Sequence, residues 1–558
     1  MGEEVRPTSD LLTPDAAGLP EDASEDAAEQ LVRHTAVMSV GTALSRLTGF
    51  LRLSAASAAL GANLFSDAYN TANITPNIIY ELVLGGILTS VFVPVFVEWL
   101  HKHGRDEAWA VADRVLTLAL VSLAAIAALG ALLAPAIMRL YYAGAPAATR
   151  EASIETGAFF LRWFMPQIVF YGVGAVAGGL LTAHRRFAPV MFTPILNNLA
   201  VVCTFVAFAI VHQGDVALGR VALGERILLA VGTTLGVLAM SAALWPSLRR
   251  MGYRWHLRFD WKHPAVRRLA RLAAWVVVYV AANQVAYLVV LVLSNQREGW
   301  ITTYQYAFIL FQLPHAIFAV SIFTALLPGM SGRWAAEDVD GVRRLLSQGL
   351  RSTAFIVLPA AAGYVALASP IVRLLLQRGQ TTNADATLIA ETLQAFALGL
   401  AFFSTFQLLS RAFYSMQDTR TPALVNVGAA ALNIGVNVAL VHGLDLGVQG
   451  LALGHAISYV FSTSVCLLIL RARLGGIDGR RVLRTLAIVT PAAIATGIAA
   501  WGAAHAVGAA LAEGTTERVL QVTAGVGAGL LVYGSLTLIL RMEEADYLKM
   551  ALVRRFRR

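Results

Sequence analysis

Charge is the first scarcity of this chain. Only 14% of its 558 residues are Asp, Glu, Lys or Arg, against about a quarter in soluble domains. Cysteine is scarcer: Cys203 and Cys466 stand in separate halves, each inside an apolar run. That excludes a disulfide framework and a thiolate metal site, and predicts two buried, inert thiols. No glycine-rich phosphate loop ending in Lys-Ser or Lys-Thr occurs, no His-Glu-x-x-His pair and no Ser/His/Asp cluster. An ATP-driven pump, a hydrolase and a metal site are therefore not expected, and the chain reads as a non-enzyme. Alternating ten-residue segments of a membrane β-barrel are also missing.

What is abundant is apolar sequence. Hydrophobic residues make up 57%, mean hydropathy is +0.65, and runs of about 20 residues recur from Thr35 to Leu540, each able to cross a bilayer as a helix. Lipid cannot satisfy bare backbone groups, so these runs predict an all-α polytopic membrane protein of about fourteen transmembrane helices. The first span is expected at 35–60, the second at 68–99, the ninth at 350–373 and the last at 519–540. Basic residues fall in alternate turns: eight in "LRRMGYRWHLRFDWKHPAVRRLAR", five in "RARLGGIDGRRVLR" and six in the tail, against one in "SNQREG" and none in "VHGLDLG". The positive-inside rule then puts both termini in the cytoplasm. The net charge of +9 is dispersed over short turns, which suits anionic membrane lipids and not nucleic acid.

Residues 1–33 are acidic, rich in Ala and Pro and free of aromatics, which predicts a disordered cytoplasmic tail and not a secretory signal. The basic segment 249–271 divides the next twelve spans into an N-lobe (34–250) and a C-lobe (251–475). The lobes show a weak internal repeat: "HRRFAPVMFTPILNN" and "MQDTRTPALVNVGAAALN" each open a fifth span with a basic turn, a proline and a later asparagine. Parallel six-helix repeats with a site between them are a common transporter plan. Residues 476–545 hold two further spans, and 546–558 form a basic cytoplasmic tail.

Polar residues inside apolar runs mark the candidate site. Arg46 and Arg52 lie within the first span, where one arginine costs about 2.5–3.5 kcal/mol on insertion scales. Six residues apart, they sit roughly 120° apart around the axis and can border one wide cavity; snorkelling to an interface is the bland alternative. In "YNTANITPNIIYELVLGG", Asn70, Asn73, Asn77 and Glu81 share one face, with Tyr80 beside it. Pro76 and the Gly85-Gly86 pair make that helix bendable. A moving cavity wall explains this ridge better than interhelical glue, which would need only one asparagine. Tyr279, Asn283 and Tyr287 repeat in the seventh span and Asn426, Asn433 and Asn437 in the eleventh. Asn283, Asn433 and Asn437 are a candidate site for a monovalent cation, with packing glue as the alternative.

With "SRLTGFLR" (Ser45–Arg52), "SDAYNTANITPN" and "FVPVF" (Ser66–Phe96), "HRRFAPVMFTPILN" (His184–Asn197) and "QDTRTP" (Gln417–Pro422), the chain resembles the MurJ/MviN lipid II flippases. These belong to the multidrug/oligosaccharidyl-lipid/polysaccharide exporter superfamily. The resemblance implies a bacterial cytoplasmic-membrane transporter in cell-wall biogenesis that moves undecaprenyl-diphosphate-linked disaccharide-peptide outward by alternating access. It implies two lobes around a cationic cavity and a groove for the lipid tail at the last two helices. Cell-wall synthesis and division machinery would be partners, with no cofactor beyond coupling to membrane potential or a monovalent cation. Ser45, Arg46, Arg52 and Asp67 match family positions, with Gly49 and Asp67 expected at moving parts beside Pro76, Gly85 and Gly86. The chain departs from the family at Leu53, where an acidic residue is common, and at Tyr80 and Ile309, where arginines are expected; Glu81 adds an opposite charge. Three other readings stay open: an exporter of another undecaprenyl-linked saccharide, a cation-coupled drug antiporter of the same superfamily, and a non-transporting membrane scaffold, which would not need buried arginines.

Overall fold

A backbone in lipid must satisfy its own hydrogen bonds, and the apolar runs accordingly coil into helices. A computed structural model describes residues 41–80 and 92–540 together with 542 and 544, apart from Ala43 and Arg185. The tails 1–33 and 546–558, Glu81 and Gly85-Gly86 lie outside the described residues. The described chain is helical and shows no strand.

The helices are α1 (41–60), α2 (Leu64–Tyr80), α3 (Val93–Leu132), α4 (Ala147–Ala183), α5 (Phe187–Val211), α6 (Leu223–Arg250) and α7 (Pro264–Ser294). Next come α8 (Trp300–Ala335), α9 (Val339–Leu376), α10 (Asn383–Leu398 and Leu400–Ser415, bent by 46°) and α11 (Arg420–Gly443). Last are α12 (Gly447–Arg473), α13 (Gly479–Ala510) and α14 (Thr515–Ile539). Ten of these are long and apolar enough to cross a membrane, and eleven if the bent pair is one span. The others are α1, α2 and α7, so the expected count of fourteen exceeds what the described residues establish.

Local chemistry sets the ends. Thr382 and Asp385 form a reciprocal capping box at the start of α10. Asp338 accepts from Gly341 N–H at 2.7 Å and starts α9. That bond, followed by the Arg333 guanidinium, holds the Asp338 carboxyl below its ordinary value. α9 thus begins well before the expected 350, because its first turns are amphipathic and not apolar. The expected second span, 68–99, is followed to Tyr80 and again from Val93, with 81–91 outside the described residues. The helical run from Val93 to Leu132 is two helices joined across a break at Gly104 (φ 81°, ψ 179°), in the polar stretch that reads as an inter-span turn.

Two apolar cores form, one per half. The first gathers buried side chains from Ala59 to Tyr253, among them Phe65, Tyr69, Phe160, Phe164 and Phe205, and takes Leu269 and Leu291 from α7 and Ile301 from α8. The second runs from Val290 to Leu474 around Phe311, Phe396 and Phe413, and takes Leu53 from α1. α13 and α14 pack on each other and on α9. Cys466 is buried, but Cys203 is exposed on α5, contrary to expectation. An apolar face on a lipid-facing helix does not imply burial within the protein.

The segment between α6 and α7 lies along α3. The Tyr253 hydroxyl donates to Asp113 at 2.8 Å, Trp255 Nε1 to Thr117 at 3.3 Å and Arg258 N–H to Thr117 at 3.2 Å. Asp260 pairs with Arg114 at 3.5 Å. Burial, then the Asp113 charge, raises the Tyr253 hydroxyl above its ordinary value, so it stays a donor.

Candidate functional site

The two halves are joined at the end opposite the basic turns. Asp67, 1% exposed, reaches from α2 to the N-terminus of α8. Its carboxylate accepts from Gly299 N–H at 2.5 Å, Thr302 N–H at 3.0 Å and the Thr302 hydroxyl at 2.7 Å. These are orphan donors of a helix start, held by a residue from the other half. Asn70 Nδ2 donates to the same Thr302 hydroxyl at 3.0 Å, and Thr71 donates to Asn295 at 3.2 Å. Gly299 is required here: its φ is +77° and a Cβ would come within 2.7 Å of the Ala62 carbonyl.

A second seam uses the turn between α9 and α10. Ser57 Oγ donates to Leu376 O at 2.8 Å, Thr381 Oγ1 donates to Ser57 O at 2.7 Å, and Gln380 N–H donates to Ala58 O at 2.9 Å. The Gln380 amide bridges to the α5–α6 turn, donating to Gly214 O at 2.8 Å and accepting from Val216 N–H at 3.4 Å. Sequence reading missed Gln380, since its partners are backbone atoms more than 150 residues away.

At the basic end the arrangement is cationic. Arg46 is exposed and Arg52 half-buried on α1. Arg52 lies within electrostatic reach of Tyr69 and Tyr306; Arg46 lies within reach of His315, and so does Arg411. Arg46 from the first half and the exposed Arg411 from the second therefore address one region. Arg411 and His315 were not singled out from sequence: Arg411 looks like an ordinary charge near a helix end. His315 opens a π-helical turn directly after Pro314, a local irregularity often found at functional sites, and its Nδ1 lies 3.0 Å from Ser404 Oγ. Ile309 is exposed on α8.

The other expected residues are placed as follows. Asn73 and Asn77 are half-buried, and Asn77 spends its amide on the Asn73 carbonyl at 3.1 Å. α2 stays helical through Pro76 to Tyr80. The side chains of Tyr80 and Tyr279 lie outside the described residues. The Ser45 carbonyl accepts from Asn198 Nδ2 at 3.2 Å and Thr48 Oγ1 accepts from the same amide at 3.1 Å, fixing α1 to α5; Gly49 sits against that amide. In "QDTRTP", Asp418 caps α11 through Thr421 N–H at 2.9 Å and binds Arg473 at 2.5 Å.

The candidate cation residues divide. Asn283 and Asn433 line a pocket of about 170 Å³ with His455 and three tyrosines. Asn437 does not line it: it donates to Asn433 at 2.9 Å and packs on Gly454. Asn283 Oδ1 already accepts from Asn426 at 2.5 Å, and no carboxylate lines the pocket. This neutral set, its two named amide oxygens engaged, does not fit a hard cation that seeks free oxygen ligands.

A larger groove of about 920 Å³ opens beside α13. Its walls are α9, α10 and α13, with α14 contributing only Gln521, so the expected groove of α13 and α14 is built mainly by other helices.

This architecture is that of a multi-pass carrier with two joined half-bundles. Its fold matches a multidrug resistance transporter of the MATE family, solved inward-facing, with a TM-score of 0.63 at 14% identity over 77% of this chain and 95% of that one. A solved lipid II flippase MurJ in an inward closed conformation matches with a TM-score of 0.73 at 20% identity, covering 90% and 99%. The model of the family "Lipid II flippase MurJ" matches residues 56–512. The chain belongs to this family of transporters, which are not enzymes. A "Probable lipid II flippase MurJ" of Vibrio cholerae is 26% identical over 93% of this chain and 98% of its own length. A lipid II flippase MurJ of Burkholderia cenocepacia is 25% identical over 79% and 84%.

Proposed function

We propose that this protein carries lipid II from the inner to the outer leaflet of the cytoplasmic membrane by alternating access, with both termini cytoplasmic. The observation that carries this reading is the polarity of the central seam. One end is closed by Asp67, Asn70, Ser57 and Gln380, whereas Arg46 and Arg411 stand toward the other, with Arg52 between the two ends beside Tyr69 and Tyr306. A diphosphate entering from the basic side meets guanidinium forks suited to bidentate grip on its oxygens. The prenyl tail stays in lipid and lies in the α9–α10–α13 groove while the headgroup crosses. Opening of the Asp67 seam then releases the headgroup. Export of negative charge is favoured by an inside-negative potential, at about 2.3 kcal/mol per charge per 100 mV. No step runs through a bound cation, since the Asn283–Asn433 pocket does not fit one.

Depletion of the protein tests the cargo. Accumulation of lipid II in the inner leaflet is the expected result; accumulation of a different undecaprenyl-linked saccharide overturns the assignment. In proteoliposomes, Arg52→Ala is expected to abolish transfer while insertion is unchanged.

A further inference from the structure

The groove beside α13 is not uniformly apolar. Val365, Phe402, Ile494, Ile498 and Trp501 make its walls, but polar side chains gather toward one end. Arg373 stands one turn from the end of α9 at Leu376, His505 near the end of α13, and Gln521 near the start of α14. This is the end where Asp67 and Gln380 join the halves.

Arg373 is the unusual member. It forms no ion pair among the described residues, and its Nε is buried with no hydrogen-bond partner. Glu517, next to the Arg518 that reaches the Arg373 carbonyl from α14, is committed elsewhere: it accepts from Gln521 Nε2 at 2.8 Å and from Gly514 N–H at 3.3 Å. Arg518 adds a second positive charge, tied to the Arg373 and Gln377 carbonyls at 3.4 Å each. A guanidinium in an apolar wall at membrane depth is costly unless an anion or dipole meets it. Its planar fork matches phosphate oxygens. From Leu358 to Arg373 the groove follows α9 for about 22 Å at 1.5 Å per residue, room for an extended hydrocarbon chain.

We propose that this groove binds a prenyl-phosphate lipid from the leaflet at the sealed end, its chain along α9, α10 and α13 and its phosphate on Arg373. The groove then does more than shelter a tail: it is a receiving site where the phosphate is held after crossing. This rests on the tail-groove reading above and adds a headgroup contact to it.

Native mass spectrometry of the purified full chain with undecaprenyl phosphate and undecaprenol, which share a chain and differ in the phosphate, tests it. The wild type should retain the phosphate at least about tenfold better, the smallest gain expected of a charge-assisted hydrogen bond. Arg373→Gln should lower that preference without changing undecaprenol retention, also where Arg46 and Arg411 are both replaced by Gln, Arg373→Lys should keep part of it, and Ile498→Trp should reduce both lipids by filling the groove. An undiminished preference in Arg373→Gln overturns the assignment, because the phosphate is then held wholly by other cations. Displacement by phosphatidylglycerol at equal concentration overturns the prenyl identity of the ligand. Equal retention of both probes by the wild type sinks the headgroup contact alone, and retention of neither sinks the tail groove as well.

Discussion

Replacing Asp67 by Ala should unfasten the sealed end. The carboxylate serves three donors at the start of α8, two of them backbone N–H groups of Gly299 and Thr302. Alanine leaves both N–H groups unpaired in a buried seam. At about 1.5 kcal/mol for each, toward the low end for a buried unsatisfied donor, the closed arrangement loses about 3 kcal/mol. That shifts its equilibrium with an open one by a factor of about 150. The assay is pulsed electron spin resonance on spin labels at Asp215→Cys and Asn383→Cys, exposed positions in the α5–α6 turn and at the start of α10 on opposite halves, with Cys203 and Cys466 replaced by Ser. The unaltered seam should give one short distance, and Asp67→Ala a second, longer population. Thr302→Val, which removes one partner hydroxyl, should act less than additively with it. Identical distance distributions with and without the Asp67 carboxylate would refute the view that it latches the halves.

Three further outcomes are expected. Gly379→Ala should weaken the second seam and lengthen the same label distance, since φ is +58° and a Cβ would meet the Ala58 carbonyl at 2.1 Å; a folded variant with an unchanged distance contradicts this. Reversing Arg46 and Arg411 to Glu together should lower transfer in proteoliposomes by less than the sum of the two single effects, because they face one region; strictly additive effects would separate them. Asp418 is a pH marker. Burial raises its carboxyl, but the Thr421 hydrogen bonds and then Arg473 outweigh that and bring it to about 2, below the unperturbed 3.8. Its folded value is depressed, so its stabilising effect is complete above about pH 4 and lost as pH falls toward 2. The difference in thermal midpoint between wild type and Asp418→Asn should shrink over that window, and a difference constant from pH 6 to pH 2.5 counts against it.

Sequence reading recovered what repeats locally. Apolar runs, prolines and basic turns located most of the helices, because lipid imposes a length and a composition on each one. The face shared by Asn70, Asn73 and Asn77 followed from helical spacing. What stayed hidden is long-range. Nothing periodic announces that Asp67 will cap a helix that begins at Trp300, or that Gln380 will clasp the backbone at Gly214 and Val216. Arg411 drew no notice for the opposite reason, since a charge near a helix end is ordinary until α1 is placed across from it.

The peptide joining α6 to α7 is fastened to Asp113, Thr117 and Arg114 of α3 as far as Asp260, and the hold continues into the start of α7, where His263 lies 3.3 Å from Glu107 and Arg268 pairs with Glu98 at 3.1 Å. The crossover therefore has almost no slack to draw on. The first turns of α7 ride with the first half, and a tilt of one half against the other must be taken up beyond Arg268, within the helix itself and not in a loose tether.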